Sequence, residues 1–256
     1  MTKSITFYKY QGTGNDFVIT SDIYEVTTSQ IQYLCDRKFG IGADGLIVLK
    51  QEANADFDMM YYNADGTESF CGNGSRCAVM HAHHLRWIDK SCTFNSNDGV
   101  HEAEIEGNLV KLKMHDVMSI EARGADYETN TGSPHYISFA NSLDFDIVSK
   151  AKTIRYSKEY EKNGINVNFI SPLIDALKIR TYERGVEGET LSCGTGVTAA
   201  ALTEHYSKIG EDGNYLRTIQ TQGGELQVSF TVSNGKYINI FLIGPAVKVF
   251  KGEVLL

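Results

Sequence analysis

Two short segments of the chain place a cysteine directly before a Gly-x-Gly turn and a helix-forming run. They are ESFCGNGSRC at residues 68–77 and TLSCGTGVTA at residues 190–199, so Cys71 and Cys193 lie 193 − 71 = 122 positions apart. At a helix N-terminus the first backbone N–H groups lack intrahelical acceptors, and the helix dipole favours negative charge. Such a turn favours a thiolate, and its glycines allow a carboxylate to approach the backbone amides.

Two such cysteines on opposite faces of one carbon atom would perform a two-base epimerisation without a cofactor. One thiolate would remove a proton from the carbon, and the other thiol would deliver a proton to the opposite face. Amides of both turns would stabilise the adjacent carboxylate as its charge grows. A helix terminus stabilises a nearby negative charge by about 0.3–1 kcal/mol, whereas lowering a pKa by one unit takes about 1.36 kcal/mol. The helix dipole alone therefore cannot lower the thiol pKa enough to form the catalytic thiolate. We therefore expect other groups, or the substrate's charge in a site that excludes water, to assist.

The segments around the two cysteines resemble each other, which predicts a duplicated fold. Strand-like runs precede the cysteines (FDMMYYNADGTE and ALKIRTYERGVEGE), helical runs follow them (SRCAVMHAHHL and VTAAALTEHYS), and a pair of β-prone runs comes next in each half. We predict an α+β protein of two similar lobes. Each lobe is expected to be a curved, mostly antiparallel sheet or barrel around a central helix, with the active site in the cleft between the lobes.

The predicted lobes are residues 1–117, which carry Cys71, and 118–245, which carry Cys193. The final strand-like run at 246–256 is expected to return to the first lobe and complete it. The junction is placed where HDVMSIEARGADYE loses clear periodicity.

Local signals in the first lobe predict a helix followed by a glycine-rich turn. The run SQIQYLCDRKF is expected to be capped by Thr28 or Ser29 and to end at Gly40. The following GIGADG satisfies the G-x-G-x-x-G pattern, but a dinucleotide-binding motif has a strand before the glycines and a helix after them. Here a helical run precedes and the strand-like LIVLK follows, so we interpret the segment as a turn.

Composition excludes several classes of partner. The net charge of −8 argues against binding to nucleic acid or to an anionic membrane surface, because both depend on Lys and Arg. The first residues, MTKSITFYKY, lack the apolar core of a signal peptide, and no run approaches the length of a membrane span. Five cysteines without a small-domain disulfide pattern fit a reducing compartment, so we predict a cytoplasmic protein.

The motifs resemble the diaminopimelate epimerase family over nearly the whole chain: GTGNDF, GIGADG, NADGTESFCGNGSRC, TGSPHY, INVNF and YERGVEGETLSCGTG occur in the family's order. The resemblance implies a pyridoxal-independent isomerase that interconverts LL- and meso-diaminopimelate in lysine and peptidoglycan biosynthesis. It implies no cofactor and no metal, a small amino-acid substrate, and a homodimer.

By the same resemblance, Cys71 and Cys193 carry the proton transfers and the amides around Gly72–Gly74 and Gly194–Gly196 bind the reacting carboxylate. Arg184 is expected to pair with the distal carboxylate, because an arginine fork matches a carboxylate bidentately. His135 and Glu183 are expected to support the cysteines. The predicted substrate-binding residues are Asn15, Asn63, Gly72, Asn73, Gly74, Asn166, Glu183, Arg184, Gly194, Thr195 and Gly196.

Ser133, Gly45 and Asn168 depart from residues common in the family, and these departures bear on substrate identity more than on reaction type. The main alternative is a pyridoxal-independent racemase of another amino acid on the same fold. A carboxylate-binding protein without catalysis, or a redox pair of Cys71 and Cys193, are other interpretations. Cys77 with the HAHH segment could suggest a metal site, but no second Cys-x-x-Cys or ordered His pair accompanies it.

Overall fold

The chain divides into two units that repeat one order of strands and helices. The computed structural model describes residues 4–23 and 25–256. The first unit comprises the described residues up to Leu112 together with Gly244–Leu256, and the second comprises Lys113–Ile243. The elements up to the first unit's end are β1 (Ser4–Gly12), β2 (Asn15–Thr20), α1 (Thr28–Cys35), β3 (Gly45–Lys50), β4 (Phe57–Asn63), α2 (Gly72–His84), β5 (Ser91–Ser96), β6 (Gly99–Glu106) and β7 (Leu109–Lys113).

The remaining elements run from the second unit back into the first. They are β8 (Glu121–Arg123), β9 (Asp126–Asn130), β10 (Pro134–Phe139), α3 (Ile147–Arg155), β11 (Asn166–Pro172), β12 (Leu177–Glu183), β13 (Gly188–Thr190), α4 (Gly194–Ser207), β14 (Gly213–Thr221), β15 (Gly224–Ser233), β16 (Lys236–Pro245) and β17 (Val247–Leu255). Strand β17 pairs antiparallel with β1 inside the first unit.

The strand pairings show the duplication directly. In the first unit β1–β2 is antiparallel, β2–β3 parallel across α1, β3–β4 antiparallel, β4–β5 parallel across α2, and β5–β6 antiparallel. In the second unit β9–β10, β10–β11 across α3, β11–β12, β12–β14 across α4, and β14–β15 repeat the same sequence of directions. Each parallel pair is joined through a helix, as a parallel crossover requires. The predicted α+β class with two similar halves is confirmed.

Helices α2 and α4 are the central helices of their units. Every residue of α2 from Gly72 through Ala82 is buried, and α4 is buried from Gly196 through His205. A helix buried on all sides must be surrounded by other elements, and α2 contacts β1, β2, β3 and β4 while α4 contacts the corresponding β9, β10, β11 and β12. No helix in the described part of the chain is long and apolar enough to cross a membrane.

Helices α1 and α3 cover equivalent apolar surfaces. Ile31 and Leu34 of α1 pack on Leu46 and Val48 of β3. Ile147 of α3 belongs to a buried cluster that includes Val167 and Phe169 of β11 in the second unit. Each fully buried side chain of this kind contributes about 1.5–3 kcal/mol by leaving water.

The predicted start and end of the first helix are wrong. Thr27, rather than Thr28 or Ser29, is the N-cap: its Oγ1 accepts from the Gln30 backbone, and the Gln30 side chain accepts from Thr27 N–H in a capping box. The helix ends at Cys35, not at Gly40, because Asp36 is extended and its Oδ1 accepts from the N–H groups of Lys38 and Phe39. These hydrogen bonds to the Asp36 side chain favour a non-helical backbone and prevent the helix from continuing.

One hairpin and one helix have no counterpart in the sequence-based prediction. The segment read as an aperiodic junction contains the hairpin β8–β9, in which Arg123 pairs with Asp126. All three residues of β8 are exposed, so no apolar alternation marks it. Helix α3 begins after Asp146, whose Oδ1 accepts from Ser149 N–H as the N-cap of the helix. An aspartate before a helical run favours a helix start, so the sequence did contain a signal for α3.

Candidate active site

The first cysteine turn, residues 71–76, is the N-terminus of α2. Cys71 is the N-cap in an extended conformation (φ −136°, ψ 109°), and its Sγ accepts from Gly74 N–H at 3.4 Å. Its carbonyl accepts from Ser75 N–H at 2.8 Å, which closes the first turn. The sulfur thus occupies the place that a Ser or Asp oxygen usually takes, where the N-terminal amides favour an anion.

Asn15, the first residue of β2, contacts the first cysteine turn. The Cys71 Sγ lies 3.5 Å from Asn15 Oδ1, and Asn73 Nδ2 donates to the same oxygen at 3.3 Å. Asn15 Nδ2 in turn donates to Asp44 Oδ2 at 2.7 Å, which orients the amide. The structure therefore brings together three of the predicted site residues.

Asn63 serves the loop that leads into this turn. It ends β4, and its Nδ2 donates to Thr67 Oγ1 at 3.0 Å and to Ser69 Oγ at 3.2 Å. These bonds hold the loop that delivers the chain to Cys71.

The second cysteine turn, residues 193–198, is the N-terminus of α4. Cys193 is again an extended N-cap (φ −119°, ψ 110°), and its carbonyl accepts from Val197 N–H at 2.9 Å. The Cys193 Sγ lies 3.5 Å from Thr195 Oγ1, and the residue is 7% exposed. Thr131 Oγ1 donates to the Thr195 carbonyl at 2.8 Å and so fixes the backbone of the turn.

A buried network of uncharged groups supports the second cysteine turn. Asn168 Nδ2 donates to His135 Nδ1 at 3.1 Å and to Tyr136 O at 3.0 Å, and Asn168 Oδ1 accepts from Thr181 Oγ1 at 2.9 Å. A Cβ added at Gly196 would lie 2.6 Å from Asn168 Oδ1 and 3.4 Å from His135 Cε1, so both side chains lie directly against the turn.

Burial, with the charge of Arg184 as a second cause, lowers the pKa of His135 to about 3. The imidazole is therefore neutral at physiological pH. Because Asn168 donates to Nδ1, the proton is assigned to Nε2, which has no hydrogen-bond partner within residues 4–23 and 25–256.

Arg184, Asn166 and Ser133 form a polar group at the end of β12. Asn166 Oδ1 accepts from the Arg184 backbone N–H at 2.8 Å, and Asn166 Nδ2 donates to Ser133 Oγ at 2.9 Å. The Arg184 guanidinium donates to Ser133 Oγ at 3.3 Å and to Asn163 O at 3.1 Å. Arg184 is exposed, so its planar fork is accessible to a carboxylate.

Glu183 belongs to the hairpin that precedes the second cysteine turn. It is paired with Gly188 between β12 and β13, and its Oε2 accepts from Thr190 Oγ1 at 2.8 Å. Its carboxylate therefore stiffens the segment between Arg184 and Cys193.

Gly45 has no room for a side chain. A Cβ there would lie 2.6 Å from Tyr62 O and 2.5 Å from Tyr61 Cε2, so the absence of a longer residue at this position follows from packing in β3–β4. Of the other two departures, Ser133 contacts Arg184 and Asn168 lies in the buried network, as described above.

Two polar residues close to the turns were not identified from sequence. Arg76 is fully buried in α2 and donates to Asn73 Oδ1, and Thr131 holds the second cysteine turn. The motif CGNGSRC contained Arg76, but a charged residue in a helical run usually predicts a solvent-facing position.

The histidines after Cys77 lie along α2, and two of them, His81 and His84, contact a tyrosine. Tyr10 Oη lies 2.7 Å from His84 Nδ1 and 3.3 Å from His81 Nδ1. Burial raises the pKa of Cys77 to about 12 and lowers that of His81 to about 4. Over the described ranges, no group of three His, Cys, Asp or Glu side chains has a geometry that could hold a metal ion.

Comparison with known proteins gives one consistent family. The family model for diaminopimelate epimerase matches residues 7–119 and 127–249. A diaminopimelate epimerase of Flavobacterium psychrophilum is 46% identical over 255 residues, covering 96% of this chain and 99% of that protein. One from Chlorobaculum tepidum is 41% identical over 261 residues, covering 96% and 99%.

Solved structures with much lower identity share the fold. A Bacillus anthracis phenazine biosynthesis protein of the PhzF family superimposes with a TM-score of 0.81 at 16% identity, covering 99% of this chain and 100% of that chain. A hydroxyproline epimerase from Agrobacterium vitis gives a TM-score of 0.71 at 14% identity, covering 100% and 92%.

Proposed function

Because the chain belongs to the diaminopimelate epimerase family, we propose that it interconverts LL- and meso-diaminopimelate with Cys71 and Cys193 as the two proton-transfer groups. The observation that supports these roles is that the same arrangement of residues occurs in both units. Each unit has a cysteine as the N-cap of its central buried helix, followed by glycine, at equivalent positions of the duplicated fold. The protein is an isomerase.

The proposed reaction conserves protons and needs no cofactor. The thiolate of one cysteine takes the α-proton, the C–H bond breaks, and the electron pair is delocalised into the adjacent carboxylate. The thiol of the other cysteine then delivers its proton to the opposite face of the carbon. The product leaves with inverted configuration, and the two sulfur atoms have exchanged their protonation states.

The helix N-termini stabilise the negative charge that grows on the carboxylate. The first amides of α2 and α4 point along the helix axes and carry the positive end of each dipole. Donors aimed at the place where charge develops are worth about 2.7–4 kcal/mol each when water is excluded. Gly72, Gly74, Gly194 and Gly196 add no side chains that would block the approach of this carboxylate.

The distal amino-acid centre of diaminopimelate is proposed to bind Arg184 and the amides of Asn15, Asn63 and Asn166. Arg184 donates from Nη1 to Asn163 O and from Nη2 to Ser133 Oγ, and the exposed guanidinium has further in-plane N–H donors for a carboxylate. Asn166 accepts from the Arg184 backbone and so fixes the start of that side chain. A neutral amide can bind an ammonium or a carboxylate without changing the charge of the site.

A cytoplasmic location and a homodimer complete the proposal. None of the five cysteines, all of which lie in the described ranges, forms a disulfide, which fits a reducing compartment. The homodimer derives from the family resemblance and is tested by light scattering of the purified protein.

The experiment is proton NMR of the reduced protein with LL-diaminopimelate in deuterium oxide. We expect the α-proton signal to disappear as the meso isomer forms, and Cys71→Ala and Cys193→Ala each to abolish epimerisation. Cys92→Ala is the matched control, because Cys92 is buried in β5 and burial raises its pKa to about 12. This variant should retain turnover.

Each other outcome changes a definite part of the proposal. Unimpaired turnover by either active-site variant contradicts the two-base roles. Exchange into another amino acid, but not into diaminopimelate, keeps the mechanism and changes the substrate. No exchange into any amino acid of a small panel would favour a binding protein without catalysis.

A further inference from the structure

Arg76 is a fully buried cation directly behind the first cysteine turn. Its guanidinium donates to Asn73 Oδ1 at 3.0 Å, to Gly72 O at 3.4 Å and to Thr13 Oγ1 at 3.5 Å, and all three acceptors are uncharged. Within the part of the chain that the structure describes, no carboxylate lies within ion-pair distance of it, and its Nε has no partner. Arginine remains protonated in proteins, so α2 contains a positive charge without a carboxylate counter-ion.

Such an arrangement is expensive unless another anion compensates it. Burial disfavours the charged guanidinium and lowers its pKa, whereas the negative charges of Cys71 and Cys77 as thiolates would favour it. Cys77 is itself fully buried, and this burial raises its pKa to about 12, so it remains a thiol. Cys71 lies at the helix N-terminus, where Gly74 N–H already donates to its sulfur. Cys71 is therefore the group beside Arg76 whose ionisation would supply the compensating anion.

The charged side chains beyond Asn15 pair with one another. Beyond Asn15 lies the carboxylate of Asp44, which pairs with Arg37 at 2.7 Å. Asp16 on the adjacent strand pairs with Lys9 at 2.7 Å and with Arg37 at 2.6 Å. Asn15 Oδ1 lies 3.5 Å from Cys71 Sγ. Because this oxygen is a neutral acceptor, it repels a thiolate only weakly. None of these carboxylates pairs with Arg76.

The second cysteine turn has a neutral residue in the equivalent position. Cys71-Gly-Asn-Gly-Ser-Arg76 aligns with Cys193-Gly-Thr-Gly-Val-Thr198. Thr198 is also fully buried, and its Oγ1 donates to Gly194 O at 3.0 Å, the counterpart of the carbonyl that Arg76 contacts. The two side chains thus perform the same backbone contact, but only Arg76 adds a charge.

Three side chains beside the second cysteine turn, His135, Asn168 and Glu183, add no positive charge there. The imidazole of His135 is neutral because burial, with the field of Arg184, lowers its pKa to about 3. Its partner Asn168 is uncharged, and the carboxylate of Glu183 in the adjacent hairpin would oppose a thiolate rather than favour one. The guanidinium of Arg184 is exposed, where water screens it.

We propose that Arg76 is a positioning residue and counter-ion that keeps Cys71 as the thiolate in the substrate-free enzyme, while Cys193 rests as the thiol. This inference rests on the proposed two-thiol function and assigns its resting state. The proton that Cys71 loses passes to solvent. The enzyme is then ready for the stereoisomer whose α-proton faces Cys71, and the opposite isomer requires the thiols first to exchange a proton.

The test is the pH dependence of alkylation of each cysteine by iodoacetamide in the reduced, substrate-free protein. Cys71 is measured in Cys193→Ala and Cys193 in Cys71→Ala, because two interacting thiols would titrate as a pair. Peptide mass spectrometry quantifies the modified fraction over about pH 5–10, which spans thiol ionisation. We expect the Cys71 midpoint to lie at least about one pH unit below that of Cys193, since a nearby opposite charge shifts a midpoint by roughly 1–3 units. Equal midpoints, or a lower one for Cys193, would overturn the inference.

Substitution of Arg76 separates charge from packing. In the Cys193→Ala background, Arg76→Met should raise the Cys71 midpoint by roughly 1–3 units, and Arg76→Lys should restore most of the shift because it keeps the charge. The matched change Thr198→Val removes the equivalent backbone contact without changing charge, and it should leave the Cys193 midpoint unchanged. A merely structural role of Arg76 would alter the limiting alkylation rate, which reports exposure, but not the midpoint.

The result remains decisive if Arg76→Met does not fold, because the comparison of Cys71 with Cys193 keeps Arg76 intact. The deuterium-exchange assay tests the proposed function separately. If both cysteine variants are inactive but their midpoints agree, only the counter-ion role of Arg76 fails. If either variant still epimerises, the two-thiol function fails whatever the midpoints are.

Discussion

An alanine at Gly196 should destabilise the protein more than an alanine at Gly74, although the two glycines hold the same position in the two cysteine turns. Neither glycine has a positive φ, so the substitutions differ in packing and not in backbone strain. A Cβ at Gly74 would lie 3.3 Å from Ile47 Cδ1 and 3.4 Å from Phe17 Cε1. A Cβ at Gly196 would lie 2.6 Å from Asn168 Oδ1.

The size of the effect follows from what holds Asn168. Its Oδ1 would have to retreat by about 3.4 − 2.6 = 0.8 Å to reach an ordinary contact. That oxygen accepts from Thr181 Oγ1 at 2.9 Å, and the amide nitrogen is tied to Tyr136 O at 3.0 Å. A shift of this size breaks a buried hydrogen bond, which costs about 1–3 kcal/mol.

A lower conformational entropy of the unfolded chain offsets part of this cost. Replacing glycine by alanine stabilises by about 0.4–1 kcal/mol, because the unfolded chain loses conformational freedom. The net loss of unfolding free energy for Gly196→Ala is then about 0–2.6 kcal/mol, with a central value of about 1.3 kcal/mol. Gly74→Ala should be close to neutral, because the terminal methyl of Ile47 can yield by a few tenths of an ångström.

Urea unfolding followed by far-ultraviolet circular dichroism measures the difference, with Gly74→Ala as the matched control. The midpoint should fall for Gly196→Ala and stay near the unsubstituted value for Gly74→Ala. If Gly196→Ala is as stable as Gly74→Ala, then Asn168 is not held as the hydrogen bonds indicate, and the reasoning fails.

Two further predictions concern His135 and Arg184. Burial lowers the pKa of His135 from its ordinary value of 6.5 to about 3. Between these two pH values the unfolded state binds a proton that the folded state does not bind. The free energy of unfolding therefore decreases as pH falls below about 6.5, by up to about 1.4 kcal/mol per pH unit. His135→Asn should make this slope shallower in urea midpoints measured from about pH 6.5 to 4, and an unchanged slope would contradict the assignment of a buried neutral imidazole. Arg184→Lys should lower kcat/KM for diaminopimelate by roughly tenfold or more, because it keeps the charge but loses the bidentate fork. A variant with unchanged kcat/KM would show that the distal carboxylate does not bind there.

Much of the fold could be predicted because its signals are local. The Cys-Gly-x-Gly turns before apolar helical runs located the starts of α2 and α4, and the alternation before and after them located the principal strands. The same locality explains the errors. The N-cap lies at Thr27 because Gln30 completes a capping box there, and β8 was missed because its exposed residues show no apolar alternation.

The candidate site was predictable to the extent that its residues lie in contiguous motifs. Asn15 does contact Cys71 and Asn73, and Asn166 does contact Arg184. The roles assigned to these residues stay predictions. Thr131 was missed because it contacts the second cysteine turn across 64 positions of sequence, and such a contact leaves no periodic trace.

By itself, the amino-acid sequence determined the duplication, the α+β class, the two thiols at helix N-termini and the family resemblance. These depend on residue order over a few turns of chain, where capping, periodicity and glycine placement act. Only the tertiary structure decided that Arg76 is buried among uncharged acceptors while Thr198 holds the matching place, and that Asn168 is fixed against Gly196. Burial, the pairing of charges and contacts at van der Waals distance depend on which distant segments meet, and two similar motifs can therefore acquire different electrostatic surroundings.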